Sequence, residues 1–255
     1  MPSVLIFGGS GNLAKFITTR LLAKDKDYTV ISVIRRAEHI PALTALGATP
    51  ILHSLETSSV SDLVTLLQTH SSDAVIFAAG GGLRSFADPA FSHVVDRDAA
   101  IRVFDAMALA GGTKRLLLIS TIDARDREKA VPSWYGEEDV RTGEQLWGML
   151  PLYMDAKFQA DKNLVEENGR RGLEYTIVRP TWYNEGGSTG KVSAGKVGTS
   201  PKISREDVAD VFVACLENPG TVGCVFEVVG GETLVEEAMK RVAEEKVDSF
   251  GEEYR

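Results

Sequence analysis

The sequence predicts a doubly wound α/β fold, in which helices cover both faces of a mainly parallel sheet. Three observations predict this fold. Short runs rich in β-branched and apolar residues alternate with stretches of helical periodicity along the chain. Most of these runs are apolar throughout, as in strands that are buried on both faces of a parallel sheet. A turn rich in glycine joins the first strand-like run to the first helical stretch.

The predicted elements follow one another in regular order. Strands are predicted at residues 3–8, 29–35, 49–53, 74–79, 115–121, 174–179 and 225–229. Helices are predicted near residues 12–24, 38–46, 60–70, 93–110 and 154–170, and then at 203–217 and 234–246. Ser204 would open the helix at 203–217, with Asp207 three residues later as in a capping box. The alternation implies right-handed crossovers, which bring the carboxyl ends of the parallel strands to one edge of the sheet.

Two long segments fit none of these elements, residues 122–152 and residues 181–202. Both follow the carboxyl ends of strands, at the edge where open α/β sheets bind ligands. A segment as long as 122–152 is usually functional or carries small helices of its own. We therefore predict a single domain, residues 1–255, with these two segments inserted on the ligand side and a small C-terminal region beside the substrate.

The bulk composition excludes several classes of protein. A formal net charge of −8 leaves no basic stripe for nucleic acid, and no apolar run is long enough to cross a membrane. The N-terminal sequence MPSVLIFGGSG has no basic leader, so we expect no signal peptide and a cytoplasmic location. The four histidines show no metal-ligand spacing, so no metal is expected. Cys215 and Cys224 are predicted to be buried thiols, with a disulfide left open.

The glycine-rich turn has the spacing of a dinucleotide site. Gly8, Gly11 and Ala14 form a G-x-x-G-x-x-A pattern between the first strand and the first helix. Gly8 would permit the tight turn, Gly11 would let the backbone approach a diphosphate, and Ala14 would let the helix sit close to the strand. The helix then begins at Asn12 and Leu13, whose free N–H groups would face the phosphate charge. This context makes the predicted fold one of the Rossmann type.

The end of the second strand predicts which cofactor is bound. A carboxylate at that position would bind the ribose 2′-hydroxyl of NAD(H). This chain has Arg35 and Arg36 there instead, about 20 residues beyond the glycine turn. Guanidinium groups suit a phosphate monoester by charge and by fork geometry. We therefore predict NADP(H) as the cofactor.

Tyr153 and Lys157 are four residues apart at the start of the helix between the fifth and sixth strands, so both would project from one helix face. A free tyrosine has a pKa near 10 and is a poor acid or base at neutral pH. A neighbouring ammonium favours phenolate and lowers that pKa. The pair is therefore predicted to be a catalytic acid and the residue that tunes it, and Lys157 to bind the cofactor ribose as well.

The motifs GGSGNLA, VIRR, FAAG, LLIST, YMDAK and YTIVRP occur in this order. In these residues the chain resembles the atypical short-chain dehydrogenase/reductases, and more narrowly their NAD(P)H-binding, flavin-reductase-like and NmrA-like branch. The resemblance implies that Ala78, Ala79 and Gly80 line the cofactor. It also implies that Ser120 or Thr121, at the end of the fifth strand, holds the substrate carbonyl.

The resemblance also implies two further contacts with the cofactor. Members of this branch often carry an acidic residue after the third strand that meets the adenine. In this chain Ser54 and Leu55 follow that strand, and the acidic residue Glu56 comes two places after Ser54. The segment after the sixth strand leads past the nicotinamide. In this chain it is formed by Pro180, Thr181 and Trp182.

Three functions are compatible with these residues. The first is an NADPH-dependent oxidoreductase acting on a small carbonyl, quinone or flavin-like compound. The second is a non-catalytic NADP(H)-binding redox sensor of the NmrA-like type, which would have a protein partner. The third, weaker reading is an epimerase or dehydratase. The sequence is compatible with a monomer and with a homodimer.

Aromatic residues of the two long segments would either line a substrate pocket or anchor these segments to the sheet. These are Trp134, Tyr135, Trp147, Trp182 and Tyr183.

Overall fold

The first predicted strand forms β1 (Ser3–Phe7), whose side chains are buried on both faces of a sheet. Val4 and Ile6 pack into one hydrophobic core, whereas Leu5 and Phe7 pack into a second core on the opposite side. Each of the four is at most 1% exposed. Because successive residues of a strand face opposite ways, two covered faces require an unbroken apolar run.

The computed structural model describes residues 1–24 and 27–255. After β1 its strands are β2 (Thr29–Ile34), β3 (Thr49–Leu52), β4 (Ala74–Phe77), β5 (Arg115–Ile119), β6 (Glu174–Pro180), β7 (Tyr183–Asn184), β8 (Lys191–Gly195), β9 (Ile203–Ser204), β10 (Val225–Gly230) and β11 (Thr233–Leu234). Its α-helices are α1 (Asn12–Leu22), α2 (Ile40–Ala45), α3 (Val60–Thr69), α4 (Leu83–Ala87), α5 (Ala100–Ala110), α6 (Glu137–Met149), α7 (Pro151–Arg171), α8 (Arg205–Glu217) and α9 (Val235–Glu244). A π-helical segment, His93–Ala99, leads directly into α5.

The predicted doubly wound α/β fold is confirmed. The main sheet has the order β11-β8-β10-β6-β5-β4-β1-β2-β3, and the pairs from β3 across to β10 are parallel. The strand β8 runs antiparallel to β10, and β11 runs antiparallel to β8. Apolar residues of α1, α8 and α9 cover one face of the sheet, and those of α3, α5 and α7 cover the other.

Residues 122–152 carry a helix of their own, one of the two outcomes expected for a segment of this length, whereas the strands within residues 181–202 were not predicted. The first contains α6, and the second contains β7 and the five-residue strand β8. Along β8, Val192 and Ala194 are buried while Lys191 and Ser193 are half-buried. This alternation is short and is surrounded by glycine, serine and threonine, so the local pattern did not separate it from a loop. Pairing with β10, more than 30 residues later in the chain, makes it a strand.

The predicted cap at Ser204 is present at the start of α8. Ser204 Oγ accepts a hydrogen bond from the Asp207 backbone N–H at 2.9 Å and donates to Asp207 Oδ2 at 2.8 Å. The same carboxylate accepts from the backbone N–H groups of Thr189 and Gly190, both at 2.8 Å. Asp207 therefore fastens the loop before β8 to the first turn of α8.

Two further expectations concern the cysteines and the membrane. Cys215 and Cys224 are both buried and both carry free thiols. Burial raises the pKa of Cys215 to about 12, so this thiol is unreactive at neutral pH. Within residues 1–24 and 27–255, no helix is both long and apolar enough to span a bilayer.

Candidate functional site

A cleft made of two adjoining cavities lies at the carboxyl ends of the parallel strands, where β2 and β3 lie on one side of β1 and β4 lies on the other. Its smaller part has a volume of about 160 Å³ and its larger part about 710 Å³. Both parts are lined by Gly11 and by Ala78, Ala79 and Gly80, which follow β4. This is the topological switch point at which open α/β sheets bind their ligands.

The glycine turn packs closely against the segment that follows β4 and leaves the N-terminus of α1 without a side-chain cap. Gly8 has φ +81°, and a Cβ there would lie 2.6 Å from the Ala79 Cα. Gly11 is the N-cap of α1; no side chain of the described residues caps this end, and the first turn holds no acidic residue. Free N–H groups at a helix N-terminus attract phosphate, so the residues present fit a dinucleotide. Asn12, Leu13 and Ala14 line the larger part beside them.

The smaller part of the cleft is lined by Arg35 and Arg36. The Arg35 guanidinium contacts the carboxylate of Glu56, which also pairs with Arg84 Nη1 at 3.0 Å. Arg36 Nη2 lies 2.8 Å from His39 Nε2. The side chains of Arg35 and Arg36 are 42% and 55% exposed, so both guanidinium groups can reorient toward a ligand.

The larger part of the cleft holds Tyr153 and Lys157, and the structure adds a buried partner that the sequence did not indicate. Lys157 Nζ lies 3.2 Å from Asp96 Oδ1, donates to the Ile119 carbonyl at 3.0 Å and lies 5.8 Å from the Tyr153 ring centroid. Asp96 Oδ2 also accepts from the Gly81 N–H at 3.0 Å. Asp96 lies on the π-helical segment, a distortion that is frequent at functional sites and has no sequence pattern of its own.

The surroundings of Tyr153 keep its phenol protonated. Burial raises the pKa of Tyr153 well above its ordinary value of 10, the negative charge of Asp96 raises it further, and a hydrogen bond with Thr121 opposes both. The ammonium of Lys157, which was expected to lower the pKa of Tyr153, is paired with Asp96. The phenol is therefore neutral at physiological pH.

Ser120 lines the same part of the cleft and connects it to a buried charge network. Ser120 Oγ donates to Asp161 Oδ2 at 2.6 Å, and Arg179 donates to the same oxygen from Nη2 at 2.8 Å and from Nε at 3.0 Å. Arg179 Nη1 lies 3.7 Å from Glu227 Oε1. The side chains of Asp161, Arg179 and Glu227 are at most 2% exposed. Burial raises the pKa of Asp161, while Arg179 opposes that shift.

Several predicted site residues lie beside the cleft without lining either part of it. These are Ser54, Thr121, Pro180, Thr181 and Trp182. Thr181 Oγ1 donates to the Thr199 carbonyl, and the Ser54 carbonyl accepts from a neighbouring serine. Leu55, by contrast, lines the smaller part next to Arg35. The cleft thus brings together the glycine turn, both arginines, residues 78–80, Ser120, Tyr153 and Lys157.

The aromatic residues of the two long segments divide between the two roles that the sequence left open. Trp134 packs edge-on against the Tyr254 ring at 5.2 Å, and Trp147 Nε1 donates to the Asp123 carbonyl at 3.1 Å. These two anchor residues 122–152. Tyr183, by contrast, lines the larger part of the cleft.

Glu227 should make the protein less stable as the pH rises. Burial raises the pKa of Glu227 from an ordinary 4.5 to about 7. The folded state therefore holds this proton more tightly than the unfolded state, and the resulting stabilisation is lost as the pH rises through about 7. In urea titrations from about pH 5 to about pH 8, the wild type should lose up to about 1.4 kcal/mol per pH unit relative to Glu227→Gln. Parallel pH profiles of the two proteins would contradict this.

Comparison with known proteins gives matches over nearly the whole chain. The model of a family described as NAD(P)H-binding matches residues 8–219. UPF0659 protein C216.03 of Schizosaccharomyces pombe is 30% identical over 240 residues, 94% of each chain. Uncharacterized sugar epimerase YhfK of Bacillus subtilis is 32% identical over 239 residues, 94% of this chain and 99% of that one. The crystal structure of the oxidoreductase ylbE from Lactococcus lactis superposes with a TM-score of 0.74 at 25% identity, covering 95% of this chain and 97% of that one.

Proposed function

Because this chain belongs to the NAD(P)H-binding family, we propose that it is an NADPH-dependent reductase of a small carbonyl, quinone or flavin-like compound. The family confirms the NAD(P)H-binding resemblance of the sequence motifs. The observation that supports reduction is the content of the cleft. A glycine turn with free helix N–H groups opens into a cavity of about 710 Å³ that holds a neutral phenol and a buried lysine.

In this proposal the chain holds the reactants and supplies the proton. The uncapped N-terminus of α1 would hold the diphosphate, and Lys157 would hold the ribose near the nicotinamide. When bound, NADPH supplies the hydride that forms the new C–H bond and leaves as NADP⁺. Tyr153 would give its phenolic proton to the substrate oxygen, so that C=O becomes CH–OH, and would regain a proton from solvent. Thr121 would orient the phenol through their hydrogen bond.

The name of the Bacillus subtilis relative suggests epimerisation as an alternative reaction. The pairing of Lys157 with Asp96 favours reduction instead. An epimerase that removes a hydroxyl proton needs the tyrosine as phenolate. In this cleft the ammonium is neutralised at 3.2 Å, and burial raises the pKa of Tyr153. A phenol whose pKa is raised stays protonated at neutral pH and gives up its proton only to a strongly basic atom, such as the alkoxide oxygen that forms when hydride reaches a carbonyl carbon.

We propose NADPH rather than NADH because Arg35 and Arg36 line the part of the cleft beyond the second strand. Arg35→Glu should weaken NADPH binding by about 10- to 100-fold, since it replaces a charge-assisted hydrogen bond by repulsion. NADH, which has no 2′-phosphate, should lose far less affinity. Fluorescence titration of both cofactors measures this. Equal losses for the two would refute the assignment.

The proposed activity is tested by following the loss of NADPH absorbance in the presence of aldehydes, quinones and flavins. Turnover of at least one class is expected. Tight NADPH binding without turnover on any of them would instead support the alternative of a redox sensor with a protein partner.

A further inference from the structure

The larger part of the cleft has an unbalanced positive charge. Of the described residues that line it, the charged ones are Asp96, Lys157 and Arg205. Asp96 and Lys157 are paired with each other at 3.2 Å and are nearly completely buried. Arg205 therefore provides the net charge that a bound molecule would meet.

Arg205 is held in place but weakly paired. It is the first residue of α8, and its guanidinium lies 4.6 Å from the Tyr183 ring centroid. Within the described residues its ion-pair partner is Glu185, with 3.4 Å between Arg205 Nη1 and Glu185 Oε1. The Glu185 side chain is 92% exposed. The neighbouring acids are engaged elsewhere, Glu206 with an arginine of α1 and Asp207 with residues 188–190. An exposed pair of this kind contributes little, so the guanidinium edge is available to another carboxylate.

Apolar residues also line the larger part of the cleft. The turn between α6 and α7 contributes Met149, Leu150, Pro151 and Leu152. Met149 is 61% exposed and Leu152 is 37% exposed, so apolar side chains border the opening of the cavity. Apolar walls with one well-placed charged group are typical of sites for small organic molecules.

We propose that the substrate is an apolar carbonyl compound with a carboxylate group, which Arg205 binds while the carbonyl lies at Tyr153. This proposal rests on the proposed reductase function. A planar guanidinium stacked on an aromatic ring presents two parallel N–H donors, which match a carboxylate. The cofactor diphosphate is an alternative anion for Arg205. The free N–H groups of α1 already provide for it, and Arg205 instead lies against Tyr183, which lines the same part of the cleft as Tyr153.

The test compares 4-carboxybenzaldehyde with its methyl ester, which has the same ring and aldehyde but no charge. The wild type should show a higher kcat/KM for the acid. Arg205→Gln should lower kcat/KM for the acid by about 10- to 100-fold, mainly through KM, and leave the ester unchanged. Arg127→Gln is the matched control: its side chain is 30% exposed, stacks on Trp147 and pairs with exposed Glu144, but does not line the cleft.

Binding measurements separate this proposal from the reductase function itself. In calorimetric titrations of the NADP⁺ complex, terephthalate should bind the wild type more tightly than Arg205→Gln. If this difference is found but no aldehyde is reduced, the anion site is supported and the reductase function is refuted. Equal kcat/KM for acid and ester in the wild type, or terephthalate binding that Arg205→Gln does not weaken, would overturn the proposal. A loss of NADPH affinity in Arg205→Gln would also overturn it, because the arginine would then belong to the cofactor diphosphate.

Discussion

Replacing Tyr153 by phenylalanine should lower kcat by about 10²- to 10⁴-fold, the usual contribution of a positioned general acid. The substitution removes the phenolic hydroxyl and its hydrogen bond with Thr121. It keeps the ring that borders the cavity beside Lys157. NADPH affinity should therefore stay close to that of the wild type. Steady-state kinetics and a cofactor titration on the same preparation measure both quantities.

Tyr175→Phe is the matched control for this experiment. Tyr175 lies near the start of β6, at the edge of the sheet opposite the cleft, so its substitution should leave kcat unchanged. Because burial raises the pKa of Tyr153, the wild type should keep its acid protonated well into the alkaline range. Turnover that survives Tyr153→Phe at the wild-type rate would remove the tyrosine from the mechanism.

Replacing Arg179 by methionine should lower the free energy of unfolding by about 3–5 kcal/mol. The guanidinium is buried, donates twice to Asp161 and lies beside Glu227. Methionine would leave two buried carboxylates without their cation, and desolvation of an unpaired charge is costly. Urea denaturation measures the change, and the transition should remain cooperative.

Arg170→Met is the control, because Arg170 makes ion pairs with Glu167 and Asp105 while 54% exposed. Exposed pairs contribute about 0–1 kcal/mol, so this variant should resemble the wild type. Adding Asp161→Asn to Arg179→Met should recover part of the lost stability, since it removes one of the two uncompensated charges. If Arg179→Met and Arg170→Met lowered the free energy of unfolding equally, burial of the arginine would not govern the loss of stability.

The buried network also affects the cleft. Asp161 accepts a hydrogen bond from Ser120 Oγ. The serine hydroxyl therefore presents its lone pairs, and not its hydrogen, to the cavity. Thr121 instead shares a hydrogen bond with Tyr153. The two residues that the sequence offered as alternatives at the end of β5 therefore have different partners. In the proposed reaction this difference assigns the orientation of the phenol to Thr121.

Local sequence determined the parts of this protein that depend on neighbouring residues. Largely apolar runs identified most strands of the parallel sheet, because two covered faces leave few positions for polar side chains. The spacing of Gly8, Gly11 and Ala14 identified the turn at the switch point because backbone conformation there requires residues with little or no side chain. The Tyr153–Lys157 pair was predicted from its four-residue spacing and from its position at the start of the helix between the fifth and sixth strands.

Only the tertiary structure decided the features that join distant parts of the chain. Asp96 meets Lys157 from 61 positions away, and Asp161 joins Ser120 to Arg179. Arg205 reaches the cleft because α8 packs on the same face of the sheet as α1. Such contacts leave no periodic pattern, since each partner is specified by the packing of separate elements. The protonation of Tyr153 depends on these contacts, so the sequence could single out this tyrosine but not predict its electrostatic environment.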